Sequence, residues 1–180
     1  MTTIAGLCAK SGGEFESWRS EPRSATFSRR KCERIKNMDA RCAAANDPAV
    51  VELRRSIEGF AAGGYQVDRV TPAVCACGND LFLLVFDDEI GVAARVCTGC
   101  EAEVGIADSD EHFDDVEAVQ QAQCSCGNDV FTVATGFALD ERDEVRWVSV
   151  GLRCTRDGIA GVYVDWKVDY APTEHLLANA

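Results

Sequence analysis

From Asn46 onward the apolar residues follow the period of a helix. Val50, Leu53, Ile57 and Phe60 recur at three- and four-residue steps on one side, with Arg54, Arg55 and Glu58 on the other. Asp47 suits the N-cap, Pro48 the first helical position and Gly63-Gly64 the stop. The spacing predicts one amphipathic helix over 46–63. Past residue 65 the period shortens to two. Phe131, Val133, Phe137 and Leu139 alternate along one strand, and Val148, Val150, Leu152 and Cys154 along the next, with the polar stretch 140–144 as the turn between them. A third strand sets Val162, Val164, Trp166 and Val168 against Tyr163, Asp165, Lys167 and Asp169. The run 81–86 is apolar on both faces and needs cover on two sides, one of which the helix is expected to supply. If Val148, Val150 and Leu152 face a core, Trp147 on the opposite face is either covered by the first part of the chain or exposed.

The β region also matches itself. Cys75-Ala-Cys77-Gly78-Asn79-Asp80-Leu81-Phe82 corresponds to Cys124-Ser-Cys126-Gly127-Asn128-Asp129-Val130-Phe131 at an offset of 49. Val67 and Val70 correspond to Val116 and Val119. Arg95-Val96-Cys97-Thr98 corresponds to Leu152-Arg153-Cys154-Thr155 once eight more residues are allowed, which a hairpin lengthened by four residues on each strand absorbs. The expected organisation is therefore mainly β, with one N-terminal helix and two duplicated antiparallel modules. A module over 65–108 carries the helix, an acidic linker spans 109–117, a larger module occupies 118–170, and 171–180 is a tail.

Charge changes the picture at the N-terminus. Within the 180-residue chain of formal charge −12, residues 1–37 carry +4 and residues 38–180 carry −16. The first stretch lacks periodic apolar residues and cannot bury enough surface to fold alone. It is expected to be a disordered basic segment, or an upstream stretch outside the native coding frame, since Met38 stands just before the first recognisable element. Cys8, Trp18 and Cys32 receive no role. No apolar run approaches a membrane span, and no hydrophobic segment opens the chain, so a reducing, cytoplasmic setting is expected.

Cysteine spacing carries most of the candidate chemistry. Cys75-x-Cys77 and Cys97-x-x-Cys100 are two turn-borne pairs joined by a hairpin, which brings four thiolates to one tetrahedral centre. Gly78 lets the backbone turn its amides toward the sulfurs. The second copy keeps Cys124, Cys126 and Cys154 and has Asp157 in place of the fourth cysteine. It can hold zinc with three thiolates and a carboxylate, keep an open position, or have lost its metal to a larger core. The layout resembles the zinc-ribbon group, with C-x-C where C-x-x-C is commoner, and that resemblance implies two knuckles on a small sheet clamping one structural zinc in the first copy. Disulfides, reduced core thiols and redox work at Cys97 and Cys100 remain as competing readings.

Other chemistry is thin. His112 falls in the acidic linker and His175 near the C-terminus, both surface positions by expectation, and neither a nucleophile-elbow serine nor a phosphate-cradling glycine loop is present. The expected function is that of a non-enzymatic zinc-binding module whose acidic hairpin tips (Asp87, Asp88 and Glu89; residues 140–144) meet a basic protein partner, in the manner of an inhibitor, immunity protein or adaptor. A nucleic-acid role, using Arg146, Arg153, Arg156 and Lys167, works against the net charge. An enzyme using zinc at the incomplete second site is the third alternative.

Overall fold

Asp47 accepts a hydrogen bond from the Ala49 amide at 2.7 Å, and Pro48 follows it, so α1 (Pro48–Glu58) starts where its capping residues dictate. In this computed structural model, residues 47–61, 64–113, 116 and 118–180 are described, together with the backbone of 7–10. The helix ends at Gly59, about a turn before the expected glycine pair, with Phe60 left packed beside the core.

Nine strands appear among the described residues: β1 (Leu7–Lys10), β2 (Arg69–Pro72), β3 (Leu81–Asp87), β4 (Val92–Cys97), β5 (Glu103–Gly105), β6 (Gln120–Cys124), β7 (Phe131–Leu139), β8 (Val145–Cys154) and β9 (Ala160–Lys167). Every pairing is antiparallel, and the sheet is open rather than a closed barrel. β1 lies within the segment expected to be unstructured, and pairs with β6 from Leu7↔Cys124 to Lys10↔Gln121. The rest of 1–37 lies outside the described residues.

The two halves are interleaved, not strung in tandem. Each contributes a leading strand and a hairpin with a third strand: β2 then β3–β4–β5, and β6 then β7–β8–β9. The leading strands are exchanged. β2 pairs with β7 and β6 pairs with β3, so each completes the sheet of the other half. The registers agree under the sequence offset of 49: Val85↔Gln121 and Phe86↔Gln120 in one half match Ala134↔Pro72 and Thr135↔Thr71 in the other. Phe82 and Phe131, equivalent in sequence, pair with each other, which places a local two-fold between β3 and β7. A short hairpin leaves one long edge open, and a leading strand borrowed from the other half closes it.

One core lies on the face that carries Phe82, Leu84 and Phe86 of β3, Phe131 and Val133 of β7, Val148, Val150 and Leu152 of β8, and Val164 and Trp166 of β9. The opposite face of the second half carries a smaller core. There Leu53 and Ile57 of α1 meet Val70, Ala134 and Val162, all buried. The helix thus covers β7, β8 and β9 with β2, which corrects the expectation that it would cover 81–86 in the first module. Two mid-strand glycines are the physical reason. A Cβ on Gly136 or Gly151 would run into the Ile57 side chain, so their absence opens the groove that Ile57 fills. Burying a side chain the size of Leu53 or Ile57 contributes about 1.5–3 kcal/mol each.

Two further expectations are corrected. The acidic linker is docked at its start: the buried Ser109 hydroxyl accepts from the Ala93 amide, and Asp108 just before it is buried and accepts hydrogen bonds from Trp166 Nε1 and Tyr170 Oη, both at 3.0 Å. Burial next to the Asp108 charge pushes the Tyr170 hydroxyl well above its ordinary pKa. Residues 109–112 form a single helical turn, α2 (Ser109–His112). The tail is docked as well. Thr173 is fully buried; it donates amide and hydroxyl to Glu144 and accepts the Val145 amide, while Leu176 enters the core. No helix among the described residues is long and apolar enough to cross a membrane.

Candidate metal centres

Each half folds its cysteine pairs onto strand ends. Cys97 closes β4 and Cys154 closes β8, while Cys75 follows β2 and Cys124 ends β6. Between the two cysteines of each leading pair and the strand that follows, the chain reverses through Gly78 (φ 89°) and Gly127 (φ 82°), a left-handed conformation that L side chains rarely adopt. The Gly78 amide donates to the Cys75 carbonyl and the Gly127 amide to the Cys124 carbonyl, both at 2.8 Å. The second turn reverses through Glu101 (φ 60°) in one half and Gly158 (φ 77°) in the other.

These turns gather the predicted ligands into two groups. Cys75, Cys77, Cys97 and Cys100 form the first; Cys124, Cys126, Cys154 and Asp157 form the second; within each group the ligand atoms lie within 4.8 Å of one another. Sγ of Cys75 is 3.5 Å from that of Cys100, and Sγ of Cys77 is 3.6 Å from that of Cys97. In the second group Cys126 and Cys154 are 3.7 Å apart, and Cys124 Sγ lies 3.1 Å from Asp157 Oδ2. A disulfide needs about 2.05 Å. Metal–sulfur bonds of about 2.3 Å in a tetrahedron give sulfur–sulfur edges of about 3.8 Å, close to the spacings here. Both groups could therefore hold a metal ion. Two ligands of each group are buried (Cys75 and Cys97; Cys124 and Cys154), and the other positions reach the surface.

Sequence reasoning missed the side chains behind the sulfurs. Asn79 Nδ2 donates to Cys97 Sγ at 3.3 Å, to the Thr98 hydroxyl and to the Leu81 carbonyl. Asn128 does the same for Cys154 Sγ at 3.3 Å, Thr155 and the Val130 carbonyl. Thr98 and Thr155 return hydroxyl bonds at 3.0 Å to those same carbonyls. The amides of Gly99 and Arg156 point at the Cys97 and Cys154 sulfurs. The signal was present: Asn follows Gly in both copies, and Thr follows the third cysteine in both.

The electrostatics follow from this scaffold. Burial disfavours the Cys97 thiolate, but the Gly99 and Cys100 amides and the Asn79 amide outweigh it and bring its pKa down to about 6. Cys154 is lowered despite burial by the Asp157 and Arg156 amides. Burial pushes Cys75 and Cys124 up to about 12, with the neighbouring acidic groups adding to the shift. Within each cluster burial thus opposes one thiolate while amides favour another, and a bound cation would offset the charge of the set. Asp157 is lowered to about 2, first by the Ile159 amide and then by the cysteine thiols.

The other predicted residues lie outside the two groups. Trp147 is half-buried under Tyr65, whose ring stacks on it at 5.9 Å and 25°, and its Nε1 donates to Asp165. Asp140 is a turn-former: it accepts the Arg142 and Glu144 amides and pairs with Arg146 at 2.9 Å. Asp87 likewise holds the Glu89 and Ile90 amides. The basic residues offered for nucleic acid are engaged locally, Arg146 with Asp140, Arg153 with Glu52, Arg156 with the Cys126 carbonyl and Lys167 with Asp169. His112 is half-buried, 4.0 Å from Asp108, and His175 is exposed, both reaching the surface as expected; neither joins a ligand group. Set against models of protein families, curated proteins and solved structures, the chain matches none.

Proposed function

We propose that this protein is a non-enzymatic zinc protein holding two ions, one on Cys75, Cys77, Cys97 and Cys100 and one on Cys124, Cys126, Cys154 and Asp157. The observation that carries the reading is the identity of the two scaffolds, bond for bond, around Cys97 and Cys154. In both copies the asparagine, besides bonding the carbonyl that closes the turn, and the amide two residues on each direct an N–H at the buried third sulfur, the support a metal-bound thiolate takes. Asp157 fills the fourth corner, so the second centre has the coordination of a structural site and not the open position a catalytic zinc keeps. Sulfur-rich tetrahedral donors favour zinc, with iron as the competing metal. Elemental analysis of reduced, natively purified full-length chain should find two zinc ions per chain. Iron in their place, or a chain that takes up no metal, overturns the reading.

The interaction role belongs to the same proposal. The chain is strongly acidic, and Asp88, Glu89, Glu141 and Asp143 are exposed at the two hairpin tips. Exposed Tyr65, stacked on Trp147, offers an aromatic anchor for a basic protein partner. Reversal of Asp88, Glu89 and Glu141 to Lys should weaken capture of that partner without altering zinc content, and association should slow as salt rises. Capture indifferent to both changes removes the electrostatic part. The local pairing of Arg146, Arg153, Arg156 and Lys167 argues against the nucleic-acid alternative.

A further inference from the structure

We infer that the second centre is an exchangeable zinc site, whose ion leaves and returns with the fold intact while the first centre keeps its own. This rests on the reading that both centres hold zinc. The two scaffolds agree so closely that their differences stand out, and two of them bear on the ion. The fourth ligand is sulfur at Cys100 and oxygen at Asp157, and the residue before it is Gly99 in one and Arg156 in the other.

The first difference sets the hold on the ion. Zinc favours thiolate over carboxylate when both reach the same corner, so three sulfurs and one oxygen grip it less tightly than four sulfurs. Asp157 is exposed, and its other oxygen accepts the Ile159 amide at 3.1 Å. When the ion departs, this carboxylate remains hydrated and hydrogen-bonded.

The second difference keeps the site together afterwards. Arg156 Nη1 donates to the Cys126 carbonyl at 2.9 Å, and so ties the Cys154 turn to the Cys124–Cys126 turn without metal. Gly99 has no side chain with which to make such a bridge in the first centre. The strands behind the sites differ in the same sense. Cys154 ends a ten-residue strand registered along all of β7, with α1 packed on the far face. The Cys97 turn joins β4, six residues long, to β5, three residues long. The first centre needs its ion to hold these pieces; the second does not. Occupancy of the second centre then follows available zinc, and the change is confined to the surface around Asp157, Arg156 and Cys126.

The test is competition by a metallochromic zinc chelator against the full-length chain loaded with two zinc ions. One ion should leave on the order of tenfold faster than the other, with the circular dichroism unchanged during that phase. Asp157→Cys should move the fast ion into the slow class. Arg156→Ala should leave two ions bound, but loss of the fast one should now increase amide exchange at the Cys126 turn. A single phase for both ions, or a fast ion untouched by Asp157→Cys, overturns exchangeability while leaving two zinc centres in place. A chain that takes up only one zinc from excess overturns the second centre itself, and exchangeability with it.

Discussion

The halves of this chain share a turn geometry, a hydrogen-bond scaffold and a strand order, yet they solve the problem of stability differently. The second half has β7 and β8 of nine and ten residues, a helix on one face and buried Phe131, Phe137, Val148 and Leu152 on the other. The first half has shorter strands, and its last, β5, is three residues long. Where the strands are long, the fourth position of the group is Asp157. Where they are short, all four thiolates remain. On the reading that both groups hold metal, ion and core become alternative sources of stability in two halves of like turn geometry, with more of one allowing less of the other.

The largest expected effect separates the halves directly. Cys97→Ser should remove the first ion and unfold β3 to β5, because metal contributes on the order of 10 kcal/mol in small zinc-dependent folds. Cys154→Ser should release the second ion while the strands persist. Hydrogen exchange resolved by residue checks both, and equal loss of protection in the two variants would break the comparison.

Next is the helix, present in one half alone. Ile57→Ala should lower stability by about 2–5 kcal/mol, with loss of protection centred on β7 and β8. Chemical denaturation measures the size, and a neutral result would show that α1 adds little to the second half. A smaller effect tests what the halves have in common. Asn79→Ala and Asn128→Ala should each weaken zinc binding at their own centre by about 10–100-fold, as read by chelator competition. An effect at only one centre would show that the two scaffolds agree in shape and differ in use.

The smallest concerns the turn that the second half alone ties to the C-terminus. The Thr173 hydroxyl and amide hold the Glu144 carboxyl below the usual carboxylate range, and the Arg142 amide does the same for Asp140. Both groups are bound more tightly as anions in the fold than in the unfolded chain. Their contribution is therefore complete above the ordinary carboxylate pKa and is lost as pH falls through their lowered values. Carboxyl NMR of the full chain should find both midpoints below the ordinary range, and a Glu144 midpoint that moves up toward that range in the Thr173→Val variant, which loses the hydroxyl and keeps the amide.

Much of this was legible in the sequence, and the exceptions share a cause. The period of 3.6 found α1, the period of two found β7 to β9, an unbroken apolar run found β3, and the offset of 49, with eight residues added before the third cysteine, paired the cysteine groups with Asp157 in the fourth place. Local patterns report local structure. The exchange of β2 and β6 between halves was not legible, because alternation fixes which face a strand buries and leaves its neighbour open. The seat of α1 was hidden for a related reason: Gly136 and Gly151 look like weak points in strands until a helix side chain is known to lie above them. Asp108, Asp140 and Glu144 read as solvating charge by composition, yet each accepts hydrogen bonds that close a turn or pin a terminus. Asn79 and Asn128 were visible as repeated letters, and their work for the sulfurs needed the turn geometry to be seen.

The central claim is that one frame holds two zinc ions in unequal shells, and X-ray absorption at the zinc edge of the full-length chain tests it most directly. The account predicts seven sulfurs and one oxygen shared between two ions, from the four cysteines of one group and the three cysteines and Asp157 of the other, with sulfur at about 2.3 Å and oxygen at about 2.0–2.2 Å. In Asp157→Cys the oxygen contribution should disappear with both ions retained. A shell dominated by nitrogen and oxygen, or an oxygen contribution that persists in Asp157→Cys, would contradict it.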